Sequence, residues 1–153
     1  MSERAAEFWE RFRSEFPNVD AKEPYQVWYF GNTAEMAIEL ANLVLSGTKT
    51  ATASLDSVNR AKPDDAPRPN GYSIVTDYYG EPICAIRTTE IRHLPFAEVD
   101  ARFAFDEGEG DRSLEYWRDM HRNYFTREAA EIGIEFTDRS LVCCERFRLL
   151  FPR

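Results

Sequence analysis

One stretch constrains this chain more than any other. In Leu45-Ser-Gly-Thr-Lys-Thr-Ala-Thr-Ala-Ser-Leu55 a strongly patterned helix stops and an alternating segment starts. Gly47 is the residue type that ends helices, because it enters the left-handed conformation of a C-terminal cap without a Cβ penalty. Ahead of it, Asn32-Thr-Ala-Glu35 is a capping-box pattern, and Met36, Ala37, Leu40, Ala41 and Val44 recur at helical spacing. Behind it, Thr50, Thr52 and Ser54 fall at a period of two, which puts their hydroxyls on one strand face. Lys49 sits at the join, where a long cationic side chain can fold back over the start of the strand. The join is either a plain helix-to-strand connection with a polar strand face or the seat of chemistry.

The flanking segments give an α+β pattern. Residues 2–14 read as an amphipathic helix with Phe8, Trp9, Phe12 and then Phe16 on one face. Residues 25–30 form an aromatic run of strand length. Pro63, Pro67 and Pro69 exclude regular structure over most of residues 56–70, which read as a surface loop able to act as a lid. Residues 71–77 and 82–91 are β-prone and joined through Tyr78-Tyr-Gly-Glu81, an antiparallel hairpin. Asp106-Glu-Gly-Glu-Gly-Asp111 is an acidic loop, and Asp111 caps a helix with Leu114, Trp117, His121 and Tyr124 or Phe125 on one face. A further short helix follows over residues 126–132, and residues 140–150 read as a long C-terminal strand. At 153 residues, with no internal repeat, the expectation is a single domain over residues 1–153.

Charge limits the ligands. With 27 acidic against 19 basic residues the net charge is -8, which disfavours nonspecific binding to long nucleic acid. A nucleic-acid ligand would have to be held in a local pocket. Apolar runs are only a few residues long, and the segment from Met1 to Glu7 has no basic region followed by an apolar one. No membrane span or signal peptide is expected, which points to the cytoplasm. Cys84, Cys143 and Cys144 show no CxxC spacing and read as reduced core thiols.

Glu107 and Glu109 lie two apart on a backbone that glycines make adaptable, so one carboxylate can be aimed into a pocket while the other pairs with a cation or meets water. General acid–base work suits Glu107. The same residues also read as a solvated acidic turn. His121, one turn after Trp117, can donate a hydrogen bond into a pocket or be satisfied within the core. Carboxylates suit Mg or Mn, although no defined ligand spacing supports a metal.

The helix ending in Leu45-Ser-Gly-Thr-Lys-Thr-Ala-Thr-Ala-Ser54, the hairpin after Gly71, and the acidic segment running on through Trp117 to His121 together resemble the ASCH family of the PUA-like superfamily. The likeness covers nearly the whole chain and is greatest to longer bacterial members described as predicted RNA-binding proteins. It implies a mixed, mostly antiparallel β-barrel with helices packed around it and a cleft over the motif. The family motif GxKxxTxR falls on Gly47, Lys49 and Thr52, but Ser54 stands where the family has arginine. That departure removes a cation expected to meet a phosphate or a substrate carbonyl.

Two activities are implied by the resemblance. One is amide hydrolysis on an acetylated cytidine by a Lys, Thr and Glu set, here Lys49, Thr52 and Glu107. The other is RNA cleavage assisted by a divalent metal, Mn or Mg. A non-catalytic module that stacks an RNA base on Trp28, Phe30 or Trp117 is the remaining class. In the hydrolase, a desolvated Lys49 takes the Thr52 proton and Glu107 protonates the leaving amine. Lys49 and Thr52 are three apart, so Lys49 must stay in the turn for the two to meet. Substrate contacts are expected from Trp28, Phe30, Thr50, Ser54, Glu109, Trp117 and His121, with a nucleoside or short RNA as the ligand.

Overall fold

All five residues of Tyr72–Thr76 are buried, so this strand does not alternate between core and solvent. A strand covered on both faces behaves in this way. The computed structural model, which describes residues 2–153, places it as β3 inside a five-stranded sheet. Met1, the first residue of the segment read for a leader, lies outside the described residues. The other strands are β1 (Tyr25–Trp28), β2 (Ala51–Leu55), β4 (Pro82–Pro95) and β5 (Leu141–Phe151), in the spatial order β1-β3-β4-β5-β2. β1 runs parallel to β3, and every other pairing is antiparallel.

The α+β, barrel-like class expected from the sequence is observed, but the sheet does not close. β1 and β2 are its edges and share no ladder. Gln26 and Trp28 of β1 nevertheless line one cavity with Thr52 and Ser54 of β2, so the sheet curls until its edges face each other across that space.

Helices cover the outside: α1 (Glu3–Glu15), α2 (Ala34–Leu45), α3 (Asp56–Ala61), α4 (Ala101–Glu107) and α5 (Leu114–Glu131). α1 lays Phe8, Trp9 and Phe12 on Tyr72, Ile74 and Phe151. Val75, the next residue along β3, points to the opposite face and meets Leu40, Ala41 and Val44 of α2. α4 and α5 pack Phe103, Trp117 and Phe125 against Ala51, Leu55 and Val142. Each fully buried apolar side chain of this size stabilises by roughly 1.5–3 kcal/mol. No described helix is long and apolar enough to cross a membrane.

Four local expectations are corrected. Residues 56–70 are not mostly irregular, because α3 ends at Ala61 before the first proline and Pro63–Asp65 form a 3-10 turn. The α2 cap is Thr33, whose hydroxyl accepts from the Met36 N–H, rather than Asn32. Asp106 and Glu107 belong to the last turn of α4, and Ser113 rather than Asp111 caps α5. The separate helix over residues 126–132 is the continuation of α5.

Gly108, which ends α4, has φ of +77, and a Cβ there would lie 2.6 Å from the Thr48 carbonyl oxygen. Gly47, which follows the C-cap of α2, has φ of +79 with nothing within 4 Å of such a Cβ. Left-handed strain costs either alanine variant about 1–2 kcal/mol. We expect Gly47→Ala to lose no more than this in urea unfolding, and Gly108→Ala to lose about twice as much, because it also pushes two backbones apart. Equal losses at the two positions would refute the close approach.

Candidate functional site

The turn after α2 is held by its own backbone. The N–H groups of Thr48 and Lys49 both donate to the Leu43 carbonyl at 3.0 Å, a wrap that the left-handed Gly47 permits. β2 begins only at Ala51, so Lys49 stays in the turn, as the mechanism drawn from the sequence required. Thr50 N–H donates to Asp106 O at 2.8 Å, which seats this turn against the end of α4. Gly108 then turns the chain back and brings Glu109 to the same place.

The result is a buried charge cluster. Lys49 is 1% exposed, and its Nζ donates to Ala51 O at 2.8 Å, Glu107 Oε1 at 3.0 Å and Glu109 Oε2 at 2.8 Å. With the Glu107 carbonyl oxygen at 3.3 Å as a fourth acceptor, all three ammonium protons are engaged. The second Glu107 oxygen, Oε2, accepts from the Trp117 indole N–H and lies 3.4 Å from His121 Nε2. His121 is fixed in turn: its Nδ1 donates to Trp117 O at 2.8 Å and its ring stacks on the indole at 4.2 Å.

Opposed forces set the protonation of each member. Burial opposes the Lys49 charge, but Glu107 and Glu109 outweigh it and hold the ammonium above its ordinary value. Burial pushes Glu107 up, while Lys49, His121 and the Trp117 N–H together bring it below the usual carboxylate range. For Glu109, burial together with repulsion from Glu107 outweighs Lys49, and the carboxyl is raised. Two carboxylates that share one cation are thus driven in opposite directions.

A cavity of about 80 Å³ opens above this cluster, lined by Phe30, Thr52, Glu107, Glu109, His121 and Tyr124 among others. The structure thus gathers Thr52, Glu107, Glu109, His121 and Phe30 at one concavity, with Lys49 directly beneath. A larger space of about 270 Å³ shares Phe30, Thr52 and Tyr124 with it and adds Trp28, Ser54 and Glu145. Two of the expected contacts fall elsewhere. Thr50 lines neither space and turns its hydroxyl to Asp106 O at 3.4 Å. Trp117 is 2% exposed and stacked against His121 and Phe96, so its ring has no face for a ligand, and its indole N–H is given to Glu107. Glu145 and Tyr124 were not foreseen. Glu145 becomes visible only when β5 is placed beside β2, where it pairs with Thr52.

Glu107, Glu109 and His121 offer ligand atoms within 4.8 Å of one another, and such an oxygen-rich set suits Mg or Mn. The donor set is already spent, however. The Lys49 ammonium sits between both carboxylates, and a divalent ion would have to expel a fully buried cation. The residues do not fit the metal that the resemblance raised.

A curled, mostly antiparallel sheet with external helices and a cleft over a helix-to-strand join is the PUA-like arrangement. Residues 26–150 match the sequence model of the ASCH domain, and the chain belongs to that family. The crystal structure of an ASCH domain from Lactobacillus crispatus JV V101 is similar over 98% of this chain and 96% of its own, at 35% identity and a TM-score of 0.88. A protein from Enterococcus faecalis V583 is similar over 97% of this chain and 89% of its own, at 32% identity and a TM-score of 0.86. No curated protein matches the chain.

Lys49 has a folded pKa above its unfolded value. Its contribution is complete below about pH 10.4 and is lost as pH rises through the folded value. Glu107 is lowered, so its contribution holds above about pH 4.3 and is lost as pH falls through the folded value. Glu109 works the other way and weighs against the fold once pH rises past about 4.3. Lys49→Met leaves two buried carboxylates without a cation, which costs about 3–5 kcal/mol at neutral pH. Both carboxyl pKa values then rise, so urea unfolding should show the deficit narrowing toward about pH 5. A deficit that is small, or that widens in acid, would contradict the buried triad.

Proposed function

We propose that this protein hydrolyses an amide on a nucleoside-sized substrate of the acylated-cytidine type. The observation that carries the reading is a buried ammonium shared by two carboxylates of opposite pKa shift, beside a cavity that Thr52 also lines. Pairs of titratable groups whose surroundings push them apart mark acid–base assignments. A fold has little other reason to gather such groups at a concavity.

The proton work falls to Glu109. Lys49 is held charged and all its protons are engaged, so it does not supply the base expected from the resemblance. Glu107 is held ionised by Lys49, Trp117 and His121 and acts as the fixed counter-charge. Glu109 lines the cavity, keeps a side chain 12% exposed, and has a carboxyl that burial and Glu107 raise above its ordinary value, the direction that suits a group asked both to accept and to return a proton.

Thr52 Oγ forms a bond to the acyl carbon as its proton passes to the Glu109 carboxylate, and the carbonyl electron pair moves onto oxygen. Collapse of that intermediate breaks the C–N bond, and Glu109 returns the proton to the departing nitrogen. Water then cleaves the Thr52 ester with Glu109 serving again, releasing the carboxylic acid and restoring the hydroxyl. Lys49 touches no substrate and is a positioning residue that fixes the distance between the two carboxylates.

Size and charge support a small ligand. The two spaces, of about 80 and 270 Å³, together reach only the lower end of ligand pockets, roughly 300 Å³. A net charge of -8 repels an extended phosphate backbone. We place the protein in the cytoplasm, where the buried free thiols Cys84, Cys143 and Cys144 would stay reduced.

Thr52→Ala and Glu109→Gln are each expected to lower kcat on an acetylated cytidine by at least about 100-fold, with the melting temperature little changed. Undiminished turnover in Thr52→Ala would exclude the covalent route. If no variant and no wild-type sample forms product, while the same changes weaken nucleoside binding by only about 1–3 kcal/mol, the protein is a binding module.

A further inference from the structure

The hydrolytic steps leave one buried ionisable group without a task. Glu145 of β5 is 5% exposed, pairs with Thr52 across the β2–β5 ladder, and lines the larger space with Trp28, Ser54 and Asn59. The Thr88 hydroxyl of β4 donates to its Oε2. Among the described residues its Oε1 has no hydrogen-bond partner. A buried carboxylate normally collects several donors, because desolvating it without them costs several kcal/mol. Here the fold supplies one donor and leaves the other oxygen at a cavity wall.

The neighbouring polar group is complementary. Asn59 Nδ2 donates to Ser54 Oγ at 2.9 Å, so the serine O–H points away from Asn59, where it can donate to the neighbouring Cys143 thiol or rotate toward a ligand. Ser54 and Thr52 share one face of β2, and Glu145 stands opposite Thr52 on the same face. The larger space therefore presents an acceptor from Glu145 and a donor from Ser54 beside the Trp28 ring. A cytosine-type edge offers the matching pair, an exocyclic N–H next to a bare ring nitrogen. A uracil-type edge offers the reverse, a carbonyl next to a ring N–H.

We propose that this larger space is a base-edge subsite in which Glu145 selects bases carrying an N–H where uracil carries a carbonyl oxygen. The assignment rests on the nucleoside-sized ligand of the preceding section and names what distinguishes one base from another. Glu145 Oε1 accepts the exocyclic N–H, and Ser54 donates to the ring nitrogen. Burial, opposed by Thr88 and Lys49, pushes the carboxyl of Glu145 up, which agrees with a group short of donors within the fold. A keto oxygen in the same place would face an acceptor and leave it unpaired.

The test is calorimetric binding of cytidine and of uridine to the full chain, in wild type, Glu145→Leu and Glu145→Gln, with melting temperatures recorded for each. Wild type should bind cytidine at least about tenfold more tightly than uridine. Glu145→Leu should reduce that ratio to within about twofold, and Glu145→Gln, which keeps an acceptor oxygen, should retain part of it. If Glu145→Leu does not fold, Glu145→Gln carries the test, and its ratio must still fall by roughly threefold. An unchanged ratio in a folded variant overturns the subsite, as does a wild type that binds neither nucleoside or does not distinguish them. Failure of the hydrolase is a separate result: absence of turnover with Glu145-dependent discrimination intact removes the chemistry and keeps the subsite.

Discussion

The Lys49 ammonium is the point on which the site and much of its surroundings depend. Its partners come from β2 through Ala51 O, from the last turn of α4 through Glu107, and from the α4–α5 connection through Glu109. Glu107 passes the constraint on to α5 through Trp117 and His121. Such a cluster is a poor way to gain stability, because apolar residues of similar volume often hold a core as well as a buried ion pair does or better. The Phe30 ring already lies 5.2 Å from the Lys49 ammonium and would give an all-apolar replacement of the whole cluster a surface to pack on. Retaining a charge here is economical only if the charge has work to do, and the work on offer is to hold two carboxylates close in space but apart in proton affinity.

The open sheet explains where that work takes place. A closed barrel would fill its interior with side chains. Here β1 and β2 remain edges, and the space between them becomes the larger of the two cavities. Edge strands expose unpaired backbone groups and need covering. α3 supplies part of the cover for β2 by returning Asn59 to Ser54, and Gln26 of β1 is tied by its amide to the carbonyls of Asp64 and Ala66. The segment between β2 and β3 thus bridges the two edges without completing the ladder, which leaves an entrance beside Thr52.

Much of this was readable from residue order, and the misses have physical causes. Gly47 announced the end of α2, and the spacing of Lys49 from Thr52 announced that Lys49 had to remain outside the strand. The glycines of the acidic segment were read as loosening a loop, whereas Gly108 terminates a helix that already contains Glu107. Prolines 63, 67 and 69 hid α3, since a helix may end just before the first of them. Periodicity placed Trp117 on the inward face of α5 but carries no information about depth, and depth decides whether an indole touches ligand or only a carboxylate. Glu145 was out of reach for a stronger reason. Its meaning comes from the register that sets it opposite Thr52, and register between strands ninety residues apart is a tertiary fact.

Ser54, the one departure from the family motif, gains a role from the same register. An arginine at this position would carry a cation onto the strand face that holds Glu145, and a carboxylate beside a guanidinium is satisfied without any ligand. With serine there, Glu145 keeps an oxygen unpaired and the proposed subsite would keep a neutral donor. The loss of charge at one position and the presence of an under-satisfied carboxyl at another are then a single feature seen from two strands. In the proposed reaction the chemistry at Thr52 would depend on Lys49 and its carboxylates and the choice of base on Ser54 and Glu145, and the shared wall of Phe30, Thr52 and Tyr124 is where the two would meet.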